Sequence, residues 1–160
     1  TENLVKEPKH SGMVLALEKH PDIWDTIMLK YGIMNQWAAK NIFPIVQKKD
    51  IGILNMAPVR LTLTNNDRLL ERFNEWRLNR TDIPGTLEDL KSLNNNLENS
   101  EELISKGYAF AASHDCVSTI ITGSSNEKHL KDNIKSANSK IDPEIVKKII
   151  ELFGNSDSID

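Results

Sequence analysis

Three short runs of apolar and β-branched residues, separated by helical patterns, constrain the fold of this chain more than any other feature. They lie at residues 25–30, 51–56 and 117–122. The central run, IGILNM, is almost continuously apolar, which is typical of a strand that is buried on both faces. Because strands that alternate with helices form parallel sheets, we predict an α/β fold with helices packed on the sheet.

Helical patterns fill the segments around these runs. Pro44 is expected to kink the second helix or to delay its start. Asp142 and Pro143 open the last helix, and Gly154 ends it. Residues 57–98 form a long insert before the third strand, a position where function often concentrates. The predicted helices occupy residues 11–20, 37–49, 67–80, 100–114, 126–136 and 143–153, with a further short helix in the insert.

The size and charge of the chain exclude several classes of protein. Its 160 residues are enough for one domain with a hydrophobic core. The net charge of −3 argues against a surface that coats nucleic acid. No apolar run approaches the roughly 20 residues that a membrane span needs, and no signal-peptide pattern is present. The single cysteine, Cys116, excludes an internal disulfide and a zinc–thiolate cluster, so a cytoplasmic protein is expected.

Two features lead us to expect that the chain is part of a larger unit. It opens at Thr1, without an initiator methionine, and its first ten residues do not read as the start of a domain, although a trimmed protein would look the same. A sheet of three parallel strands also exposes long apolar edges, which are an aggregation hazard unless other strands cover them. We therefore expect the sheet to be incomplete.

Several segments together resemble the C-terminal half of an aldo-keto reductase. They are DTIMLKYGIMNQ, IFPIVQKKDIGILNMAPVR and FAASHDCVSTIITGSSNEKHLKDNI, in the order and at the separations of that family. The resemblance implies the C-terminal portion of a (β/α)₈ barrel, about three βα units plus a terminal helix. Residues 1–160 would then form one partial domain, with 155–160 as a flexible tail. The missing partner would be the first five strands, which would close the sheet.

The resemblance also implies a nicotinamide dinucleotide, NADP or NAD, bound without a Rossmann fold. Met56, at the end of the second predicted strand, would pack on the nicotinamide ring through its thioether. The segment Ala57, Pro58 and Val59 would line the path of the pyrophosphate with backbone groups. Arg60 is a candidate anion partner, and a solvated loop arginine is the alternative.

A second group of cofactor residues follows the third strand, in the pattern G-x-S-N-x-x-x-L-x-[ED]-N. Helix N-termini favour anions, which by itself suggests a phosphate here. By resemblance, Gly123 would allow close backbone approach, Ser125 would reach a phosphate and His129 the adenosine end. Asp132 and Asn133 would hydrogen-bond the adenine. Lys128 and Lys131 are open candidates for contacting a 2′-phosphate, so the preference between NADP and NAD stays open. The residues that carry this expectation are Gly123, Ser125, His129, Asp132 and Asn133.

Catalytic residues are not predicted in this chain. The Asp, Tyr, Lys and His of the family belong to the first half of the barrel, so we expect the chain alone to be inactive. Met28 stands where the family usually has a Gln, and Tyr31 is expected to be a packed aromatic. The histidines, including His10, His20 and His114, lack metal-ligand spacing and are expected at the surface or at helix caps. Cys116 is expected to be buried and inert.

Three functions therefore remain open. The first is an oxidoreductase that transfers hydride to or from a small carbonyl or alcohol, with this chain supplying its nucleotide-binding part. The second is a non-catalytic nucleotide-binding or regulatory module. The third is a half-barrel that pairs with a second copy as a homodimer to bury its open edges.

Overall fold

The computed structural model describes residues 11–79, 82–93 and 100–156, and contains a three-stranded parallel sheet. The strands are β1 (Thr26–Lys30), β2 (Gly52–Met56) and β3 (Val117–Ile121), in that spatial order. β1 pairs with β2 in register, whereas the β2–β3 pairing shifts register between Ile53 and Leu54. The predicted α/β fold with a parallel sheet is confirmed. The first ten residues, including His10, lie outside the described residues.

Helices pack on one face of this sheet and connect its strands. A 3₁₀ turn, Pro21–Ile23, joins the first helix to β1. Between β2 and β3 the described residues form four helices, of which α7 packs against α8, β3 and α4. The helices are α1 (Ser11–Lys19), α2 (Trp37–Asn41), α3 (Phe43–Lys49), α4 (Leu61–Thr64), α5 (Asn66–Leu78), α6 (Leu87–Ser92), α7 (Ser100–Ala112), α8 (Glu127–Ala137) and α9 (Pro143–Phe153).

Side-chain capping explains where several of these helices begin. Asp142 accepts a hydrogen bond from the Glu144 N–H at 2.9 Å, and Pro143 occupies the first turn of α9, as the sequence predicts. The single helix predicted over residues 37–49 is wrong in one respect, because the structure divides it into α2 and α3. Pro44 lies in the first turn of α3, where its missing N–H costs nothing.

One face of the sheet carries the hydrophobic core. Ile27, Leu29, Ile53 and Asn55 point to this face, and each is at least 95% buried. Asn55 is polar and fully buried, and its side chain pairs with the backbone of Tyr31: Oδ1 accepts from the N–H and Nδ2 donates to the C=O, both at 2.8 Å. This pair continues the β1–β2 ladder by one residue beyond the end of β1.

The opposite face of the sheet is much more open. Met28 on β1 is 47% exposed and Ile121 on β3 is 40% exposed, while Leu54 and Met56 on β2 are half-buried. The prediction that the central strand is buried on both faces is therefore wrong for this chain alone. The apolar residues of this face are the ones that would point into the interior of a closed barrel.

The insert and the last helix pack together at one side of the molecule. The Phe73 ring of α5 meets the Phe153 ring of α9 at 6.2 Å in a T-shaped contact. A Cβ atom on Gly85 would lie 2.5 Å from the Phe153 ring, so the loop before α6 needs a glycine there. Within the expected C-terminal tail, the Ser156 hydroxyl donates to the Ile33 carbonyl at 2.8 Å and Asn155 donates to the Asp82 carbonyl at 2.8 Å. Residues 157–160 lie outside the described residues.

Candidate functional site

A cavity of about 700 Å³ opens beside the C-terminal ends of β2 and β3. Its walls come from the segment after β2, from α4, from α7, from the turn after β3 and from α8. In parallel α/β folds, ligands bind at this end of the strands. The lining residues are Val59, Leu61, Thr64, Glu101, Ile104, Ser105, Tyr108, Gly123, Ser124, Lys128, His129, Asp132, Asn133, Lys135 and Ser136.

The structure brings together part of the predicted cofactor site. The predicted residues that line the cavity are Val59, Gly123, His129, Asp132 and Asn133. Met56, Ala57 and Pro58 lie at the end of β2 but outside the cavity wall, and Ser124 lines the wall in place of Ser125. Val59 is thus the one predicted residue after β2 that lies in the cavity with the predicted residues after β3. The residues expected to contact the nicotinamide end of the cofactor lie outside this cavity.

The segment after β2 has an unusual backbone. Ala57 has φ of 50°, a left-handed conformation that costs a non-glycine residue about 1–2 kcal/mol. The Pro58 carbonyl that follows packs against Gly32 in the turn after β1, where an added Cβ would lie 2.3 Å from the oxygen. This close contact fixes the direction in which the chain leaves β2. The solvated alternative for Arg60 is wrong, because the residue is only 6% exposed.

The turn between β3 and α8 supplies the floor of the cavity and a helix N-terminus. The Asn126 side chain caps this end, accepting from the N–H groups of Lys128 and His129 at 2.9 and 3.4 Å. Two of the free amides of the first turn are therefore already paired within the chain. A Cβ atom on Gly123 would meet nothing within 4 Å, so the space above this residue is open to the cavity.

Asn133 is joined to a small hydrogen-bond network at the edge of the cavity. Its Nδ2 donates to the Thr122 hydroxyl at 3.1 Å. The Tyr108 hydroxyl lies 2.8 Å from the same Thr122 oxygen, and Tyr108 is only 7% exposed. Thr122 directly follows β3, Tyr108 is on α7 and Asn133 is on α8, so three elements meet at one hydroxyl.

The charges around the cavity are mixed. Lys128 on α8 lies 3.8 Å from the Glu101 carboxylate on α7, so its charge is partly compensated across the cavity. Lys131 pairs with Glu127 at 2.6 Å along the helix surface and does not line the cavity. Lys135 does line it.

Tyr108, Thr122 and Lys135 were not predicted from the sequence as residues of this site. Helical spacing could have indicated one of them. Lys135 lies seven residues after Lys128, so both are on one face of α8. The contact between Tyr108 and Thr122 depends instead on how α7 packs beside β3, which no local pattern reveals.

The ring cluster around Tyr31 lies apart from the cavity and is structural. Tyr31 is 2% exposed, as predicted, and stacks on Phe110 at 5.5 Å. Burial, followed by the nearby Cys116, raises the pKa of the Tyr31 phenol far above its usual value. The phenol therefore stays protonated near neutral pH.

His114 differs from the surface or capping position that was expected. Its ring is half-buried and lies 4.4 Å from the Phe43 ring, while Nδ1 accepts from the Cys116 N–H at 3.2 Å. Burial lowers the pKa of His114, against a smaller opposing effect of Asp115. Burial, then Asp115, raises the pKa of the half-buried Cys116 thiol, so the thiol stays protonated and weakly nucleophilic at neutral pH.

The described part of the chain offers neither a membrane-spanning helix nor a cluster of metal-ligating side chains. None of its helices is long and apolar enough to cross a membrane. Across residues 11–79, 82–93 and 100–156, no three His, Cys, Asp or Glu side chains are grouped so that they could hold a metal ion.

Comparison with known proteins identifies the family. The model of the aldo/keto reductase family matches residues 8–153. The chain belongs to this family. Members of the family are oxidoreductases, and the three-stranded sheet with its helices is a part of their (β/α)₈ barrel.

A solved structure shows the same fold. The apo form of the aldo-keto reductase AKR11C1 from Bacillus halodurans superposes with a TM-score of 0.56 at 21% sequence identity. The match covers 81% of this chain and 43% of that protein, so the chain spans less than half the length of this relative. No curated protein matches the chain.

Proposed function

We propose that this chain is the nucleotide-binding part of an NAD(P)-dependent oxidoreductase that acts on a small carbonyl or alcohol. The observation that supports the proposal most directly is the cavity beside the ends of β2 and β3. It gathers Gly123, His129, Asp132 and Asn133 from the family pattern in one place. Its volume, about 700 Å³, lies within the range of small-molecule sites and suits the adenosine end of a dinucleotide.

The chemistry of the lining residues supports specific roles. Asp132 and Asn133 provide oxygen acceptors for the adenine, and the apolar side chains of Val59 and Ile104 provide surface for a planar base. Lys128, His129 and Lys135 supply donors for phosphate oxygens. Because Asn126 caps the start of α8, we propose that these side chains contribute more to phosphate binding than the helix amides do.

The nicotinamide end would lie at the exit of β2. Met56, Ala57 and Pro58 would form one wall there, and the left-handed backbone at Ala57 would direct that wall. This assignment rests on the family pattern together with the end of the parallel sheet at which these residues lie. The catalytic acid and base would come from other strands of the barrel, so the chain by itself should not oxidise NADPH or NADH in the presence of a carbonyl substrate.

The open face of the sheet supports the proposal that this chain packs against a partner. We propose that Met28, Ile121 and their neighbours pack against the remaining strands of a complete barrel. Light scattering coupled to size-exclusion chromatography tests this on the chain alone. A monomer that tends to aggregate agrees with a missing half, whereas a discrete, stable dimer would favour self-pairing of two half-barrels.

Isothermal titration of the chain with NADP⁺ and with NAD⁺ tests the proposed function. Gly123→Val should fold normally, because a Cβ there meets nothing within 4 Å, but should obstruct the nucleotide. Asn133→Ala should weaken binding about tenfold, the equivalent of one good hydrogen bond.

The matched control for these variants is Asn138→Ala. Asn138 is the C-cap of α8, and among the described residues its amide bonds only the local Ile134 carbonyl, away from this cavity. The control should bind like the wild-type chain. Absence of binding by the wild-type chain, or equal affinities for all three variants, would contradict the proposal.

A further inference from the structure

The network of Tyr108, Thr122 and Asn133 fixes which end of the Asn133 carboxamide is available to a ligand. Nδ2 is used by the Thr122 hydroxyl at 3.1 Å. Among the residues that the structure describes, none bonds Asn133 Oδ1, although the side chain lines the cavity. We propose that Tyr108 and Thr122 are positioning residues that present the carbonyl oxygen of Asn133, and not its amide nitrogen, to the base of the nucleotide. This inference rests on the proposed function.

The Thr122 hydroxyl is well suited to this task. Its oxygen has two lone pairs and one proton, so it can accept from Asn133 while it exchanges a hydrogen bond with Tyr108 at 2.8 Å. Tyr108 is held in α7 and is 7% exposed, which limits its motion. The carboxamide is therefore restrained from two elements that do not belong to its own helix.

The arrangement predicts a choice between bases. The Asp132 carboxylate can only accept hydrogen bonds, and Asn133 contributes a second acceptor when its Nδ2 is occupied. Two acceptors that line the same cavity suit the exocyclic amine of adenine, which has two N–H donors. Hypoxanthine has a carbonyl oxygen at the same position, so it would place an acceptor against acceptors.

Binding of deamino-dinucleotides measures this choice. We expect the wild-type chain to bind NADP⁺ over deamino-NADP⁺, or NAD⁺ over deamino-NAD⁺, by roughly tenfold or more, the value of at least one hydrogen bond. Thr122→Val removes the hydroxyl at constant shape and frees the carboxamide to turn, so the ratio should fall about five- to tenfold. Thr122→Ser keeps the hydroxyl and should restore the wild-type ratio.

A second variant and a control separate positioning from simple loosening of the fold. Tyr108→Phe removes one support of Thr122 and should lower the ratio by a smaller factor than Thr122→Val. Ser113→Ala removes a 2.8 Å hydrogen bond to the Phe110 carbonyl at the end of α7, outside the cavity wall, and should leave the ratio unchanged.

The two proposals fail in different ways. If the wild-type chain binds neither adenine dinucleotide, the proposed function is wrong and this inference falls with it. If the chain binds them but does not distinguish them from the deamino forms, or prefers the deamino forms, the positioning role alone is overturned. If Thr122→Val proves insoluble, the wild-type ratio and the Tyr108→Phe ratio still decide the matter.

Discussion

Asn55 should be among the most costly residues to replace in this chain. Its side chain is fully buried and makes two hydrogen bonds, each of 2.8 Å, to the backbone of Tyr31, which is itself 2% exposed. Asn55→Ala would leave a buried N–H and a buried C=O without partners. At about 1–3 kcal/mol for each of the two orphaned groups, we expect a loss of roughly 2–6 kcal/mol. That is a large part of the about 5–15 kcal/mol that stabilises a typical domain.

Asn55→Asp gives a sharper test because the shape is kept. One carboxylate oxygen can still accept from the Tyr31 N–H, but the other replaces Nδ2 and faces the Tyr31 carbonyl. A protonated carboxyl can donate there and a charged one cannot, so folding should raise the pKa of this new side chain above its unfolded value. The variant should therefore be most stable at low pH and should lose stability as the pH rises through the raised folded pKa.

Urea unfolding followed by circular dichroism measures both effects, with unchanged m-values as evidence of two-state behaviour. Asn41→Asp is the matched control, because Asn41 is exposed and its amide bonds only the Trp37 carbonyl of its own helix. It should change the free energy of unfolding by no more than about 0.5 kcal/mol. A cost below about 1 kcal/mol for Asn55→Ala, or an Asn55→Asp variant with the pH profile of the wild-type chain, would refute this reasoning.

Three further predictions use the same unfolding assay. Gly32→Ala should lower the free energy of unfolding by about 1–3 kcal/mol or more, because its Cβ would lie 2.3 Å from the Pro58 carbonyl oxygen. Its control, Gly12→Ala, has nothing within 4 Å of the new Cβ and should be neutral or stabilising. Equal effects of the two substitutions would contradict the close contact at Gly32. Thr86→Ala should cost about 1 kcal/mol by removing a capping box with Asp89, and no loss would show that the cap is dispensable. Burial lowers the folded pKa of His114, so the neutral ring should contribute fully to the free energy of unfolding above the ordinary pKa of 6.5, and this contribution should decline as the pH falls from there through the folded pKa. His114→Phe should remove this pH dependence of the free energy of unfolding. An unchanged pH dependence would exclude His114 as its source.

Sequence patterns predicted the order of strands and helices, the cap of α9 and the end of the sheet where the candidate site lies. These features are local, because a cap or a period is set by residues a few positions apart. The division of α2 from α3 at Ile42, two residues before Pro44, is also local, and the sequence left it open as a kink or a late start.

The features that sequence reasoning missed join distant parts of the chain. Nothing in the run IGILNM marks Asn55 as a buried partner of Tyr31, because that role depends on the register that pairs Asn55 with Leu29 and on the path of the chain just after β1. Thr122 gains its partners only when α7 and α8 pack on either side of it. Exposed apolar edges were expected from the small number of strands, but an open face was not, because the central strand was expected to be buried on both faces.

The turn after β1 is held by residues from the far end of the sequence. The Gln36 N–H donates to the Ser156 carbonyl at 2.9 Å, and the Ser156 hydroxyl donates to the Ile33 carbonyl, 123 positions earlier. During synthesis this turn cannot reach its final form until residue 156 has left the ribosome. Such distant contacts carry a high entropic cost of closure, so we expect the nascent chain to depend on chaperones until its last helix emerges.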